Sequence, residues 1–261
     1  MSESLTARIV PAGVPPHASP ALPRETPDIE TSSDAYAQRF AGAVGSWFLR
    51  VQEQAVLRML APWTAATVLE VGGGHGQMTG ALVRQGCRVT VIGSDERCQA
   101  RIQPFVEQGQ CRFAAGNLLS LPYPRQAFDV VVSLRLLPHV QDWPRLIAEL
   151  SRVARHAVVV DYPTVRSLNC LTPALFNAKR TLEGNTRPYR MFSDAEVATA
   201  FAASGFTPRA RHPEFFWPMV LHRVMRQPAL SALLERCSRV TGLTRWFGSP
   251  VVACFTRGRQ R

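Results

Sequence analysis

Lysine is almost missing from this chain. Of the 30 basic residues only Lys179 is lysine, a bias that points to genome-wide arginine usage more than to a designed basic surface. Long apolar runs are missing too, and none approaches the length that crosses a bilayer. The N-terminus has no basic segment followed by an apolar stretch, so no secretory signal is expected and a cytoplasmic setting is. The six cysteines never form C-x-x-C and are scattered through apolar segments. They read as small buried thiols in a reducing compartment, not as a disulfide frame or a zinc site. The six histidines show neither H-x-x-x-H nor H-E-x-x-H spacing, so no metal site is expected.

Acidic residues are also scarce. The 19 acids leave a net charge of +11, which invites a nucleic-acid reading. The imbalance is uneven: from Gly205 to Arg261 ten arginines stand against only Glu214 and Glu235. Such a region suits an anionic substrate or an acidic membrane surface, and equally a solvated face.

What is present is an ordinary apolar fraction of 46% over 261 residues, enough for a sizeable core. Residues 1–31 are proline-rich without apolar period and are expected to be disordered. Residues 32–261 read as a single domain. A helix near Gly45–Ala61 carries Trp47, Phe48, Val51, Ala55 and Met59 on one face, with Gln52 elsewhere. Strands are expected at 67–71, 87–92, 111–115, 129–134 and 157–161, alternating with helices. One of those helices is expected to start after Ser94 and run to about Gln108. A helical insertion is expected near 163–192. A capping box at Ser193–Glu196 starts a further helix, and a late strand pair near 206–211 and 250–255 closes the sheet. The alternation predicts an α/β fold: a Rossmann-like, doubly wound, seven-stranded, mainly parallel sheet with helices on both faces and an N-terminal helical cover.

The most specific stretch follows the first strand. Thr67-Val68-Leu69-Glu70-Val71 runs into Gly72, Gly73, Gly74 and Gly76. A strand, a glycine turn and a helix make a nucleotide cradle at the carboxyl end of a parallel sheet. The dinucleotide pattern G-x-G-x-x-G needs glycine at Gln77 or Thr79 and fails. A glycine at every second position, with an acid two residues before the first, resembles motif I of the class I S-adenosylmethionine-dependent methyltransferases. The likeness is to the small-molecule branch of methyltransferase type 11, and it covers roughly Val68 to Asp161. Glycine turns also serve as plain strand-to-helix connections.

The resemblance implies S-adenosylmethionine as cofactor, with the glycine turn against its methionine half and Glu70 orienting its amino group. A carboxylate suits an ammonium neighbour. The acid that the family places at the end of strand two, across the ribose hydroxyls, falls here on Gly93. Asp95 either reaches back to take that role or only caps the next helix. Asn117 and Leu118 fall at the adenine loop, where the asparagine keeps one carbonyl acceptor. Ser133 falls at the methionine end. His139, just after strand four, is either the base for an acceptor proton or a loop histidine bonded to backbone. Arg135, Tyr162 and Arg187 are candidates for the acceptor side. The N/D-P-P-Y/F motif of base-amino methyltransferases is absent: Ser133-Leu134-Arg135-Leu136 stands in its place. A small-molecule acceptor is therefore the expected partner, hydrophobic or anionic, ahead of nucleic acid. Peripheral membrane contact stays open. An RNA methyltransferase and a non-catalytic cofactor-binding protein are the alternatives.

Overall fold

The computed structural model describes residues 24–168 and 189–258. The expected insertion near 163–192 lies for the most part outside them, as does Arg187. The chain enters through two short helices, α1 (Asp28–Thr31) and α2 (Asp34–Gln38), and a long one, α3 (Gly42–Leu60). Expected disorder up to residue 31 is thus corrected from Asp28 onward: Asp28 and Thr31 are buried against the domain.

The core alternates as β1 (Thr67–Val71), α4 (Thr79–Arg84), β2 (Arg88–Gly93), α5 (Gln103–Glu107), β3 (Cys111–Ala115), β4 (Phe128–Ser133), α6 (Trp143–Val153) and β5 (Ala154–Tyr162). Then come α7 (Asp194–Ala202), β6 (Phe206–Phe215), α8 (Met219–Met225), α9 (Pro228–Val240), α10 (Leu243–Phe247) and β7 (Ser249–Arg257). The seven strands form one sheet in the order β3-β2-β1-β4-β5-β7-β6. Only β7 runs antiparallel to its neighbours. The order reverses at β1, whose neighbours are β2 and β4, and a crevice opens at the carboxyl end of such a switch point.

Both faces of the sheet are covered. One packs Leu69, Val131, Val158 and Val160 against α6 and α7. The other packs Val68, Val130, Val132 and Val159 against α3 and α4. Each strand alternates between the two faces, as a period of two requires. The helix expected from Ser94 to Gln108 is corrected. It breaks into a 3-10 turn, Glu96–Gln99, and α5, because Asp95 caps the first piece and Pro104 opens the second. Gln52 is corrected as well: it faces inward from α3 and is buried.

Candidate functional site

β1 ends in Glu70 and Val71, and the chain then turns with almost no side-chain bulk. Gly72 takes a φ of 70°, and its N–H donates to the Ile92 carbonyl at 2.9 Å. This ties the turn to the end of β2. Gly73–His75 form one 3-10 turn. The Glu70 side chain runs beneath it: a Cβ on Gly73 would lie 2.3 Å from Glu70 Cγ. Glu70 Oε2 accepts from Thr79 Oγ1 at 2.8 Å, whereas Oε1 has no partner. Burial pushes the carboxyl up to about 8, against the pull of the Thr79 bond.

The end of β2 explains the missing acid. A Cβ on Gly93 would already lie 2.6 Å from Cys98 Cβ and 3.3 Å from the Phe113 ring, so no side chain fits. Asp95 takes the capping role. Its Oδ1 accepts from the Arg97 N–H and Nε, each at 2.9 Å, and Oδ2 accepts from Arg97 at 3.3 Å. Those bonds hold its carboxyl down at about 2.

A different carboxylate reaches the Gly93 corner. Asp28, fully buried on α1, accepts from the Ser94 N–H at 2.7 Å and from Cys98 Sγ at 3.3 Å through Oδ2. Its Oδ1 and the neighbouring Ser94 Oγ have no partner. Nothing in the sequence marked Asp28, which sits in a proline-rich stretch with no strand or motif around it. The Arg24 guanidinium bonds the Ser94 carbonyl from the same segment.

The other expected residues fall as follows. Asn117 Oδ1 accepts from the Leu119 N–H at 2.9 Å, closing a turn within its own loop, and Leu118 is buried beside it. Ser133 Oγ donates to the Val71 carbonyl at 3.1 Å, pinning the end of β4 to that of β1. His139 ends a 3-10 turn and is half-buried, with its ring 5.7 Å from that of Tyr189. Tyr162 lies on the α6–α7 side of the sheet, fully buried, with its hydroxyl 3.0 Å from Asp194 Oδ1. Burial, and then the Asp194 charge and that bond, raise its pKa.

Asp161, one residue earlier, faces the α3 side in Tyr162's stead. Its Oδ1 accepts from the Arg135 N–H at 2.6 Å, and its Oδ2 accepts from Gln52 Nε2 at 2.9 Å. Arg135 itself takes a φ of 59°. Its guanidinium bonds Gln52 Oε1 at 3.0 Å and also Gln77 Oε1, and it stacks 4.2 Å over the Phe40 ring. Burial raises the carboxyl of Asp161. Glu214, at the end of β6, is raised well above the usual range by burial and then by the Asp161 charge. Burial, with the Arg135 charge, pushes His75 down to about 3, so this imidazole stays neutral. Its Nδ1 accepts from the Gln77 N–H at 3.2 Å. An acid at the end of β5 was readable by the logic that singled out Glu70; the Gln52 and Glu214 contacts were not, since they need the register of α3 and β6.

The donor set fits an adenosine-type ligand with an ammonium group. Gly73 and Gly74 let the turn lie directly against Glu70, Cys98 and Ser32, where Cβ atoms would clash, and two buried carboxylate oxygens beside it are without partners. Among the described residues no cluster of side chains could hold a metal ion.

Comparison with known proteins agrees. Residues 69–159 match the family described as a methyltransferase domain. A probable S-adenosylmethionine-dependent methyltransferase of Mycobacterium tuberculosis is 35% identical over 113 residues, covering 42% of this chain and 39% of that protein. The matched region thus spans less than half of that relative. Magnesium protoporphyrin IX methyltransferase from Synechocystis, solved with S-adenosylhomocysteine, superposes with a TM-score of 0.59 at 15% identity, over 87% of this chain and 96% of that one. The Burkholderia thailandensis 1,6-didemethyltoxoflavin-N1-methyltransferase, solved with its substrate and S-adenosylhomocysteine, gives 0.57 at 17% identity, over 88% and 84%. At such identities these two establish the fold. Residues 69–159 thus carry a methyltransferase domain, within a fold shared with these two methyltransferases.

Proposed function

We propose that this chain is an S-adenosylmethionine-dependent methyltransferase acting on a small-molecule acceptor. The observation that carries the reading is the glycine turn lying directly over a buried acid that keeps one oxygen free. Glu70 is the partner for the amino group of the cofactor. Gly72 to Gly76 let the methionine half lie against main chain, and Leu118 and Asn117 flank the adenine. When bound, S-adenosylmethionine supplies a sulfonium-activated methyl group. The residues around it therefore need mainly to align the acceptor and exclude water. Phe40, which stacks on Arg135, and the Phe48 and Phe215 cluster packed against it do the excluding.

Where the acceptor must lose a proton, His139 is the group to take it, since it lies just past β4 at the carboxyl edge. His139→Ala is expected to lower turnover about tenfold while leaving S-adenosylhomocysteine affinity unchanged; an equal fall in affinity would make it a structural histidine instead.

The ribose hydroxyls go to Asp28, not Asp95. The free Oδ1 of Asp28 and Ser94 Oγ sit beside the end of β2, where Gly93 carries no acid. By calorimetry with S-adenosylhomocysteine, Asp28→Ala is expected to weaken binding about tenfold, the worth of one charge-assisted hydrogen bond. Asp95→Ala is expected to leave it within about twofold. The reverse pattern would return the role to Asp95.

Two measurements test the whole reading. Purified protein should bind S-adenosylmethionine and its demethylated product but not a nicotinamide dinucleotide. Incubation with labelled cofactor and host extract should then carry label into the small-molecule or lipid fraction. Label in RNA would move the acceptor to nucleic acid. A second reading, cofactor binding without turnover, is favoured by the absence of an acid at Gly93, and binding with no label transferred would establish it.

A further inference from the structure

The segment between β6 and β7 is built inside out. Helix α9 buries Ser231, Glu235 and Ser238, whereas Leu230, Leu233, Cys237 and Val240 form its exposed stripe at helical spacing. Leu233 is 58% exposed and Val240 82%. A helix whose outer side faces only water carries the opposite arrangement. The flanking helices share the property: Val224 on α8 is 74% exposed, and Trp246 on α10 is 58% exposed with Phe247 beside it. Of the ten exposed large hydrophobics among the described residues, eight lie between Met219 and Phe247. Both flanking helices pack on α9.

The charge of this segment is one-signed. It carries Arg223, Arg226, Arg236, Arg239 and Arg245. Its one carboxylate, Glu235, is buried and holds the Phe216 and Trp217 N–H groups, each at 2.9 Å, and His222 Nε2 at 3.0 Å. Nothing acidic on these three helices is left at the surface to balance the arginines.

We propose that α8, α9 and α10 form a docking face for an anionic lipid membrane. An exposed aliphatic stripe with a tryptophan, bordered by arginines, suits the boundary between acyl chains and negatively charged headgroups. The two other occupants fit less well. A second copy of the same face would bring five arginines against five with no surface carboxylate between them. RNA has use for the arginines and the indole but none for Leu233 and Val240. The face also has a defined place in the fold. β6 ends at Phe215 and β7 begins at Ser249, and these residues pair beside the end of β5. The three helices therefore leave and rejoin the sheet at the edge that holds Asp161 and Glu214, so docking turns the rim of the candidate site toward the lipid.

The test is co-sedimentation of the full chain with vesicles of phosphatidylcholine alone or mixed with phosphatidylglycerol. Binding is expected to be at least about tenfold stronger on the mixture and to weaken with added salt. Leu233→Ser with Val240→Ser is expected to lower it about tenfold, and Arg236→Gln about threefold, with unchanged melting temperature because these side chains are exposed. Indole emission should shift to the blue on the mixed vesicles and lose that shift in Trp246→Phe. Equal binding to both vesicles, or none, overturns the proposal. So does self-association in solution that the serine pair abolishes, which assigns the face to a second copy, or salt-dependent RNA binding that competes the vesicles away. S-adenosylhomocysteine affinity of the same variants should stay at the wild-type value, so the docking face and the methyltransferase reading stand or fall separately.

Discussion

Gly74→Ala is expected to lower stability by about 3 kcal/mol and to weaken S-adenosylhomocysteine binding about a hundredfold, as overpacking in a closed space does. The cause is crowding, not backbone strain, since Gly74 has no positive φ. A Cβ there would sit 2.3 Å from the Cys98 carbonyl oxygen and 2.3 Å from Ser32 Oγ. The first is main chain of the 3-10 turn after β2, and the second belongs to the N-terminal cover. The unpartnered Ser32 hydroxyl can turn, but the Cys98 carbonyl cannot, so the methyl group must push the β2 corner away from the glycine turn and unseat the cover packed on it. Asp28 rides on that cover, and its bond to Ser94 goes with it. Gly86→Ala is the control. Gly86 has a φ of 75° with nothing within 4 Å of its missing Cβ, so alanine there costs only backbone strain, about 1 kcal/mol. Thermal unfolding and calorimetry on the two variants separate the effects. If Gly74→Ala bound the ligand as well as Gly86→Ala does, the close seating of α1 on the turn would be wrong.

The sheet was legible because its strands are short apolar runs set between helices. β1, β3 and β4 fall within a residue of where periodicity puts them, and the capping box at Ser193 and Glu196 forms as its spacing implies. Strand ends were less legible: β5 and β6 run on past the apolar runs that betray them, because β5 also pairs through Ala154 with Phe128 of β4 and β6 pairs along its length with β7. In the site, what could be read was what is local in sequence, namely the strand, the acid and the glycines. What could not be read depends on distant partners. Asp28 meets Ser94 across 66 residues and Gln52 meets Asp161 across 109. The gap at Gly93 was visible, but its reason, the space taken by Cys98 and Phe113, is a packing fact. Arg135 lies just past the end of β4; that it turns inward over Phe40 follows from its left-handed backbone, which no arginine announces.

Glu70 should make the ligand-free protein lose stability as pH rises from about 4.5 to about 8. Burial lifts the carboxyl from 4.5 to about 8. Across that window the folded state therefore holds a proton that the unfolded chain has released. Binding more protons when folded means that stability falls with rising pH. The contribution is fully present below about 4.5 and is lost as pH climbs toward 8, on the order of a few kcal/mol for a shift of this size. Glu70→Gln keeps the neutral shape and cannot ionise, so the difference between wild type and variant isolates this group. His75 works in the opposite sense: with its imidazole held down at about 3, it favours the fold increasingly as pH rises toward its ordinary 6.5 and is flat above. Glu214 and Asp161, which burial also raises, slope the same way, so the share of Glu70 is the difference that Glu70→Gln removes. Ligand binding inverts the slope. A cationic ammonium against Oε1 favours the ionised acid, so S-adenosylhomocysteine should bind more tightly as pH rises to about 8 and should release a proton on binding, by roughly tenfold in affinity across the window. In Glu70→Gln both the proton release and the pH dependence should vanish. Thermal melts in a pH series and calorimetry in buffers of different ionisation enthalpy measure the two slopes. A variant that still released a proton would move the ammonium away from Glu70, and the turn above it would then serve only to join strand to helix.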